Sequence, residues 1–432
     1  MDRRMLLLLS LTCAVGVGNV YFPQAVGPLV AAALDAPQES AAHVVTATQL
    51  GYTAGIFLLV PLGDRIPYRP LLVALLGLAG AGLVAAGCAP ALGPLVAASG
   101  LVGLTTVAAQ LVAPLAAGLV GEDRRGAVMG TLLSGSLAGM LLARTFSATL
   151  GERLGWRAPY LVAAAVVLLL AAVLARTLPA TDPPSGHPYR SLLAEPLRLW
   201  RGEPDLRRSC LYQATVFAGF SAVWTCMALL LTGPSYGLGV HAVGLVALVN
   251  AVTILCTPLA GRQVDRRGAD AVNLVCLLAV LAAAALLAVG SRGGTPGLAA
   301  LVAGTLLLDV AMQSGMIANQ ARVFALRADA RARLNTAYMT CAYAGGSAGS
   351  WLGVRVHGLA GWGGVCALVA ALAGVALARH LTVLRRARPG VPPSLRCAPR
   401  DPGRGRGPVP GGTGPGRPAP SGGSGRRAAR TR

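Results

Sequence analysis

The string "TPLAGRQVDRRG", residues 257–268, decides the fold of this chain together with an earlier, related string. The earlier string is "LLVPLGDRIPYR", residues 58–69, and both carry an Asp-Arg pair at the edge of a long apolar stretch. From Asp64 to Asp265 the step is 201 residues, close to half of the 432-residue chain. This recurrence predicts that the chain consists of two related halves.

The composition indicates that most of the chain lies in lipid. Hydrophobic residues make up 54% and charged residues 12%, with a mean hydropathy of +0.62, whereas a soluble domain carries about 25% charged residues. Apolar stretches of about 20 residues recur, and at about 1.5 Å per helical residue each can cross a bilayer core of about 30 Å. The plainest are residues 71–91, 158–178, 271–290 and 362–384.

Twelve membrane-spanning helices, called span 1 to span 12, are predicted between charged or Pro/Gly-rich breaks. In chain order they cover residues 5–33, 44–63, 70–89, 94–120, 127–150, 158–178, 209–232, 241–261, 271–290, 298–321, 334–356 and 362–384. The longest break, 179–208, divides them six and six. We therefore predict an N-terminal bundle over 1–178, a linker over 179–208 and a C-terminal bundle over 209–384.

The arginine distribution predicts the orientation, because basic residues stay on the cytoplasmic side. With the N-terminus inside, the external loops carry only three arginines: Arg153, Arg157 and Arg292. Both termini are thus predicted inside, in a multi-pass protein of the plasma membrane. The first residues resemble a signal peptide without a small-x-small cleavage site, so we expect them to be retained as span 1.

The C-terminal stretch 385–432 carries twelve arginines and one acidic residue, Asp401, and so supplies +11 of the net charge of +21. It is rich in Gly, Pro and Arg and has too few apolar residues to build a core. We predict a disordered cytoplasmic tail that touches anionic lipid headgroups. This membrane role is favoured over RNA binding, so no nucleic-acid partner is expected.

A second pair of strings supports the repeat. "SGSLAGMLLAR", residues 134–144, lies in span 5, and "GGSAGSWLGVR", residues 345–355, lies in span 11. At a constant offset of 211, Gly135 and Ser136 align with Gly346 and Ser347, and Arg144 aligns with Arg355. Secondary transporters are often built from such repeats. The predicted fold class is an all-α membrane protein of two pseudo-symmetric six-helix bundles.

The Asp-Arg strings resemble the signature of the major facilitator superfamily, Gly-x-x-x-Asp-Arg-x-Gly-x-Arg, which lies between helices 2 and 3 and recurs between helices 8 and 9. The second string matches it at Gly261, Asp265, Arg266 and Gly268. The first keeps Asp64, Arg65 and Arg69, whereas Val60 and Pro67 replace the usual glycines.

The resemblance extends over about residues 5–384. "GNVYFPQAVGPL", "TQLGYTAGIFLLVPLGDR", "LLSGSLAGMLLAR" and "RLNTAYMTCAYAGGSAGS" are similar to bacterial inner-membrane permeases near the drug and sugar efflux transporters. The family implies alternating access, in which two bundles rock around a central site lined by helices 1, 4, 7 and 10. It also implies that the Asp-Arg turns latch the cytoplasmic side. The alternative is that they only fix topology and cap helix ends.

Asp309 is the clearest candidate for a functional charge. It lies about 17 Å along span 10, close to the middle of the bilayer, where a charge normally faces a cavity or a partner. Gln313 follows one turn later on the same face. Three roles remain open for Asp309: exchange of a coupling proton, binding of a cationic substrate, or a structural hydrogen bond.

Arg144, on span 5, is the second candidate. It can hold an anionic group, pair with an acidic side chain, or extend its long stem to the outer interface. Polar residues on spans 1, 4 and 7 complete the predicted pathway: Asn19, Tyr21, Gln24, Gln110, Gln213 and Trp224. Because they are mostly uncharged, they favour a neutral or amphipathic small-molecule substrate.

Glycines at four-residue spacing predict close helix packing. Gly135 and Gly139 are expected to form the contact between the two bundles, and the same role is predicted for Gly345, Gly346 and Gly349. The alternative is ordinary packing between membrane helices in a chain with 56 glycines.

The absence of lysine bears on the energy source for transport. The chain contains no lysine, and a Walker A loop needs one against the phosphates, so ATP-driven transport by this chain is excluded. A proton gradient is then expected, without a cofactor or metal. We predict a monomeric proton-coupled efflux transporter, with proton-coupled uptake as the alternative.

Two other functional classes have little support in the sequence. A polytopic membrane enzyme lacks support, because there is no HExxH motif, the five histidines are isolated and the nine cysteines form no CxxC pair. A non-transporting receptor or scaffold has only the basic tail in its favour. The chain is therefore not expected to be an enzyme.

Overall fold

The computed structural model describes residues 2–179, 188–327 and 330–387, and the predicted tail lies almost wholly outside these ranges. Within them the chain is helical and contains no strand. The helices of spans 1–6 are Arg3–Tyr21, Pro23–Ala33, Gln38–Ala41, His43–Leu58, the 3-10 helix Val60–Asp64, Tyr68–Gly87, Leu92–Thr105, Ala108–Gly118, Glu122–Leu154 and Arg157–Thr177. Those that follow are Tyr189–Gly202, Pro204–Thr232, His241–Asn250, Thr253–Val289, the 3-10 helix Gly290–Arg292, Gly294–Leu326 and Arg331–Ala387.

Two glycines turn the longest helices into separate spans. Gly268, at φ 79°, interrupts Thr253–Val289, and Gly361, at φ 61°, interrupts Arg331–Ala387. Side chains with a Cβ rarely adopt this left-handed backbone, so glycine is needed at both turns. With these turns the apolar helices among the described residues account for the twelve predicted spans. Spans 1–6 are called the N half and spans 7–12 the C half; their exact boundaries as domains stay predictions.

Spans 1 and 4 are both broken, and hydrogen bonds from the break in span 4 join them. Span 1 breaks at Phe22, before Pro23, because proline has no N–H to continue the helical ladder. Span 4 breaks at Thr106, whose hydroxyl donates to the carbonyl of Gly16 at 3.1 Å. The same hydroxyl accepts from Asn19 Nδ2 at 3.1 Å. Asn19, predicted to line the pathway, therefore links spans 1 and 4.

An amphipathic helix in the linker was missed by the sequence pattern. Tyr189–Gly202 buries Leu192, Pro196 and Leu199 against the bundle. The helix is tied to both halves: Tyr189 Oη at its start donates to the carbonyl of Leu58 at 2.6 Å, and Glu195 in its middle pairs with Arg333 at 2.6 Å. The end of the molecule at this helix is called the linker face, and the opposite end the far face.

The packing glycines lie within each half, so their prediction as the contact between bundles was wrong. A Cβ on Gly139 would lie 2.0 Å from the carbonyl oxygen of Ala14 in span 1, and one on Gly349 would lie 2.0 Å from that of Ala218 in span 7. The others behave alike: Gly135 faces Ser10, Gly345 faces Ala214 and Gly346 faces Phe217. Spacing of small residues indicates a close approach, but it does not identify the partner helix.

We expect Gly139→Ala to lower the free energy of unfolding by about 1–3 kcal/mol, because the added methyl meets backbone that cannot rotate away. The measurement is thermal unfolding of the purified, detergent-solubilised protein. Gly126→Ala on the same helix is the control, since a Cβ there meets nothing within 4 Å. Equal stability of the two variants would contradict the close contact between spans 1 and 5.

Candidate functional site

A cavity of about 360 Å³ lies between the two halves, within the range of small-molecule sites. Spans 1, 4, 5, 7, 10 and 11 line it. A second cavity, of about 560 Å³, shares Gln110, Met129 and Phe324 with the first and reaches Leu192 and Pro196 of the linker helix. The two cavities together lead from the middle of the molecule to the linker face.

The lining is apolar, polarizable and uncharged. Five of the eight methionines of the chain line the first cavity: Met129, Met140, Met312, Met316 and Met339. The aromatic side chains are Tyr21, Phe217, Phe324 and Tyr343, and the amides are Gln110, Gln213, Gln313, Gln320 and Asn335. None of the described residues that line this cavity is charged. The predicted pathway residues Tyr21, Gln110, Gln213 and Gln313 are among them.

Hydrogen bonds between the halves close the far-face side of the cavity. Three of them join span 2 to the C half: Thr46 to Ser350, Thr53 to Ser347 and Gln49 to Ser221, each at 3.3 Å. A fourth runs from the Thr145 hydroxyl in span 5 to the carbonyl of Gly244 in span 8, at 2.7 Å. The structure is therefore open to the linker face and closed to the far face.

Two buried charges face each other across the interface between the halves. Arg144, on span 5, and Asp309, on span 10, both have 0% exposure. The Trp224 ring stands between them: its centroid lies 4.1 Å from Arg144 Cζ, and its Nε1 donates to Asp309 Oδ1 at 3.0 Å. We call Arg144, Trp224 and Asp309 the charge cluster. Arg144 does not extend to the outer interface, so that alternative was wrong.

Span 1 holds the arginine from the other side. Arg144 Nε donates to Gln24 Oε1 at 2.8 Å, and Nη1 donates to the carbonyl of Met140 at 3.3 Å. The Tyr21 ring centroid lies 5.1 Å from Arg144 Cζ. Because Met140 and Tyr21 also line the cavity, the charge cluster lies directly behind the cavity wall.

Several polar atoms of this region are buried without a hydrogen-bond partner among the described residues. They are Arg144 Nη2, Asp309 Oδ2, Gln24 Nε2 and Gln313 Oε1. Asn250, also buried, lies beside the Asp309 carboxylate. Unpaired buried polar groups are rare and call for an explanation. Here they fall where the two halves meet, at a place that has to rearrange if the halves separate.

The Asp-Arg turns lie at the linker face. Asp64 ends the 3-10 helix Val60–Asp64 and lines the second cavity, and Arg69 donates to the carbonyl of Ala175 in the same half. Asp265 and Arg266 are exposed beside the turn at Gly268. A latch role for these residues stays a prediction.

An ion-pair network at the linker face of the C half was not predicted. Asp270 pairs with Arg322 of span 10 and with Arg208 of span 7, the latter at 3.4 Å. Arg208 also contacts Asp205 at 3.2 Å. Asp270 lies two residues after Gly268 of the second Asp-Arg string. An acidic residue at the start of an apolar span was the sequence signal that could have indicated this network. The network joins spans 7, 9 and 10.

Known proteins share this arrangement of spans. The model of the Major Facilitator Superfamily matches residues 7–234, more than half of the chain. The chain belongs to the major facilitator superfamily. Members of the superfamily are transporters rather than enzymes, and the chain is accordingly a multi-pass membrane transporter.

Two relatives match over most of the length of this chain. The uncharacterized transporter YgaY of Escherichia coli O157:H7 is 35% identical over 373 residues, 86% of this chain and 94% of that protein. A transporter of Streptomyces coelicolor is 35% identical over 371 residues, 85% of each chain.

Solved structures agree in fold. The nucleoside transporter NupG superposes with a TM-score of 0.72 at 13% identity, over 88% of this chain and 99% of that chain. The peptide transporter POT superposes with a TM-score of 0.69 at 15% identity, over 88% and 95%. At such low identity the likeness concerns the fold alone.

Proposed function

We propose that this transporter exports an uncharged, amphipathic small molecule in exchange for protons, by alternating access. The observation that carries the proposal is the buried charge cluster, which lies across the interface of the two halves directly behind an uncharged cavity. In this proposal the linker face is cytoplasmic, in agreement with the arginine distribution.

Asp309 is the proposed proton site. Its Oδ2 has no hydrogen-bond partner among the described residues, so it is the oxygen available for a proton, and the Asn250 amide lies beside the carboxylate. When the halves separate at the far face, Arg144 leaves with the N half, and Asp309 stays with Trp224 in the C half. The carboxylate then meets water on the far side, takes up a proton there and releases it after the halves return.

The cavity supports the proposed substrate class. Thioether side chains are flexible and polarizable, so they adapt to apolar molecules of different shape. The amides supply hydrogen bonds for a few polar groups. A substrate with full charges would lose its hydration without meeting an opposite charge, which is unfavourable in a largely apolar site. The same charge cluster could also couple protons to uptake of a substrate. Proton-coupled uptake is therefore the alternative function.

Inverted membrane vesicles with an acidic interior test class and direction together. We expect apolar aromatic dyes and antimicrobials, added outside, to release protons from the vesicles, and sugars and amino acids to release none. A proton-coupled uptake transporter would release protons only when its substrate is loaded inside. Release by sugars or zwitterions alone would contradict the proposed substrate class.

A further inference from the structure

Trp224 touches both members of the charge pair, and this position gives it a role beyond lining a pathway. We infer that Trp224 is a positioning residue that keeps the far face of the substrate-free transporter closed while Asp309 is charged, and that either a bound substrate or protonation of Asp309 releases it. The inference rests on the proposed proton exchange at Asp309. Trp224 itself is fully buried and lies outside the set of residues that line the cavity.

The edge of the ring responds to the charge of Asp309. The indole N–H is a donor only, and its bond to a carboxylate is about twice as strong as a bond to a neutral acceptor. Protonation at the unpartnered Oδ2 leaves Oδ1 as a weaker acceptor for the same N–H. The ring is therefore held firmly only when Asp309 is charged.

The face of the ring makes the contact between the halves. Trp224 belongs to span 7 of the C half, and the guanidinium stacked on it belongs to span 5 of the N half. Such a cation–π contact is strongest when both groups are removed from water. Phe220, one turn earlier on span 7, lies 5.5 Å from the same guanidinium and extends the aromatic surface.

These two contacts make the ring sensitive to the proton. While Asp309 is charged, its bond fixes the ring in the orientation that presents its face to Arg144. Once Asp309 is neutral, the ring loses that restraint and the stacked contact weakens. The titratable groups that face Asp309 are Arg144 from span 5 and Tyr21 from span 1. An empty carrier with a charged Asp309 is thus held closed at the far face, which prevents movement without proton or substrate.

Trp224→Phe tests the inference, because phenylalanine keeps an aromatic face and lacks the N–H. We expect the pH of half-maximal substrate-driven proton release to rise by about one unit, since the charged carboxylate loses a donor. Exchange of labelled for unlabelled substrate, which needs no net proton movement, should persist. The isosteric benzothienyl amino acid at the same position, with sulfur in place of the N–H, should give the same shift without a change of volume.

Trp362→Phe is the matched control. Trp362 is also buried in the C half, but its Nε1 donates to the carbonyl of Leu287, at 2.7 Å. Its replacement should leave the pH profile unchanged. An unchanged profile in both Trp224 variants, together with loss of proton release in Asp309→Asn, would overturn the role of Trp224 and leave the proposed function intact. Proton release that persists in Asp309→Asn would instead refute the proposed function itself.

Discussion

Replacing Asp309 by Asn is expected to reduce substrate-driven proton release to the background of vesicles without the transporter. Asparagine has nearly the same shape and still offers an oxygen to the Trp224 N–H, but it cannot take up a proton. Since Asp309 does not line the cavity, substrate binding and substrate exchange should remain close to those of the unmodified protein. The measurement is proton release together with labelled-substrate exchange in the same vesicles.

Asp205→Asn provides the control for this prediction. Asp205 also carries a negative charge in the C half, but its side chain is 56% exposed at the linker face. Removing that charge should leave coupled release intact. Coupled release in Asp309→Asn at the level of the Asp205→Asn control would show that the proton uses another group.

Replacing Arg144 by Met is expected to destabilise the protein by on the order of 3 kcal/mol, because the buried carboxylate loses its opposite charge. Gln24 Oε1 and the carbonyl of Met140 lose their donors at the same time. Thermal unfolding of the purified protein measures the effect. We expect the double variant with Asp309→Asn to recover much of the stability but no coupled transport, since the remaining buried groups are neutral.

Arg355→Met is the matched control, because Arg355 is the repeat partner of Arg144. It is exposed near the far end of span 11, with its Cζ 5.6 Å from the centroid of the Trp351 ring. An exposed cation–π contact contributes about 0.5–1 kcal/mol. Similar losses in the Arg144 and Arg355 variants would contradict a central role for the buried cation.

The spans could be predicted from the sequence because hydropathy and length are local properties. Each predicted span has a matching apolar helix among the described residues, with shifts at the ends: span 2, predicted over 44–63, begins with the helix Gln38–Ala41. Gly268 was identified as part of the second Asp-Arg motif. Its positive φ explains why the motif needs glycine at this position. The linker helix was missed because residues 179–208 were interpreted only as a connection between the bundles. The spacing of Leu192, Pro196 and Leu199 is nevertheless typical of one face of a helix.

The charge cluster could be predicted only in part. A charge in the middle of a span is conspicuous in the sequence, so Asp309 and Arg144 were found. An acidic partner for Arg144 was one alternative, but the sequence did not identify it as Asp309, because their relation depends on how spans 5, 7 and 10 pack and on a tryptophan that carries no charge. For the same reason the glycine contacts were assigned to the interface between the bundles, whereas they lie within each half. The Asp270 network likewise joins residues that are far apart in the sequence.

The account depends most on opposite movement of protons and substrate through Asp309. The most direct measurement uses purified protein in liposomes, with labelled substrate at equal concentration on both sides and an imposed pH gradient. We predict that substrate accumulates on the acidic side and that Asp309→Asn abolishes this accumulation. Accumulation on the alkaline side, or an even distribution in the unmodified protein, would contradict proton-coupled export.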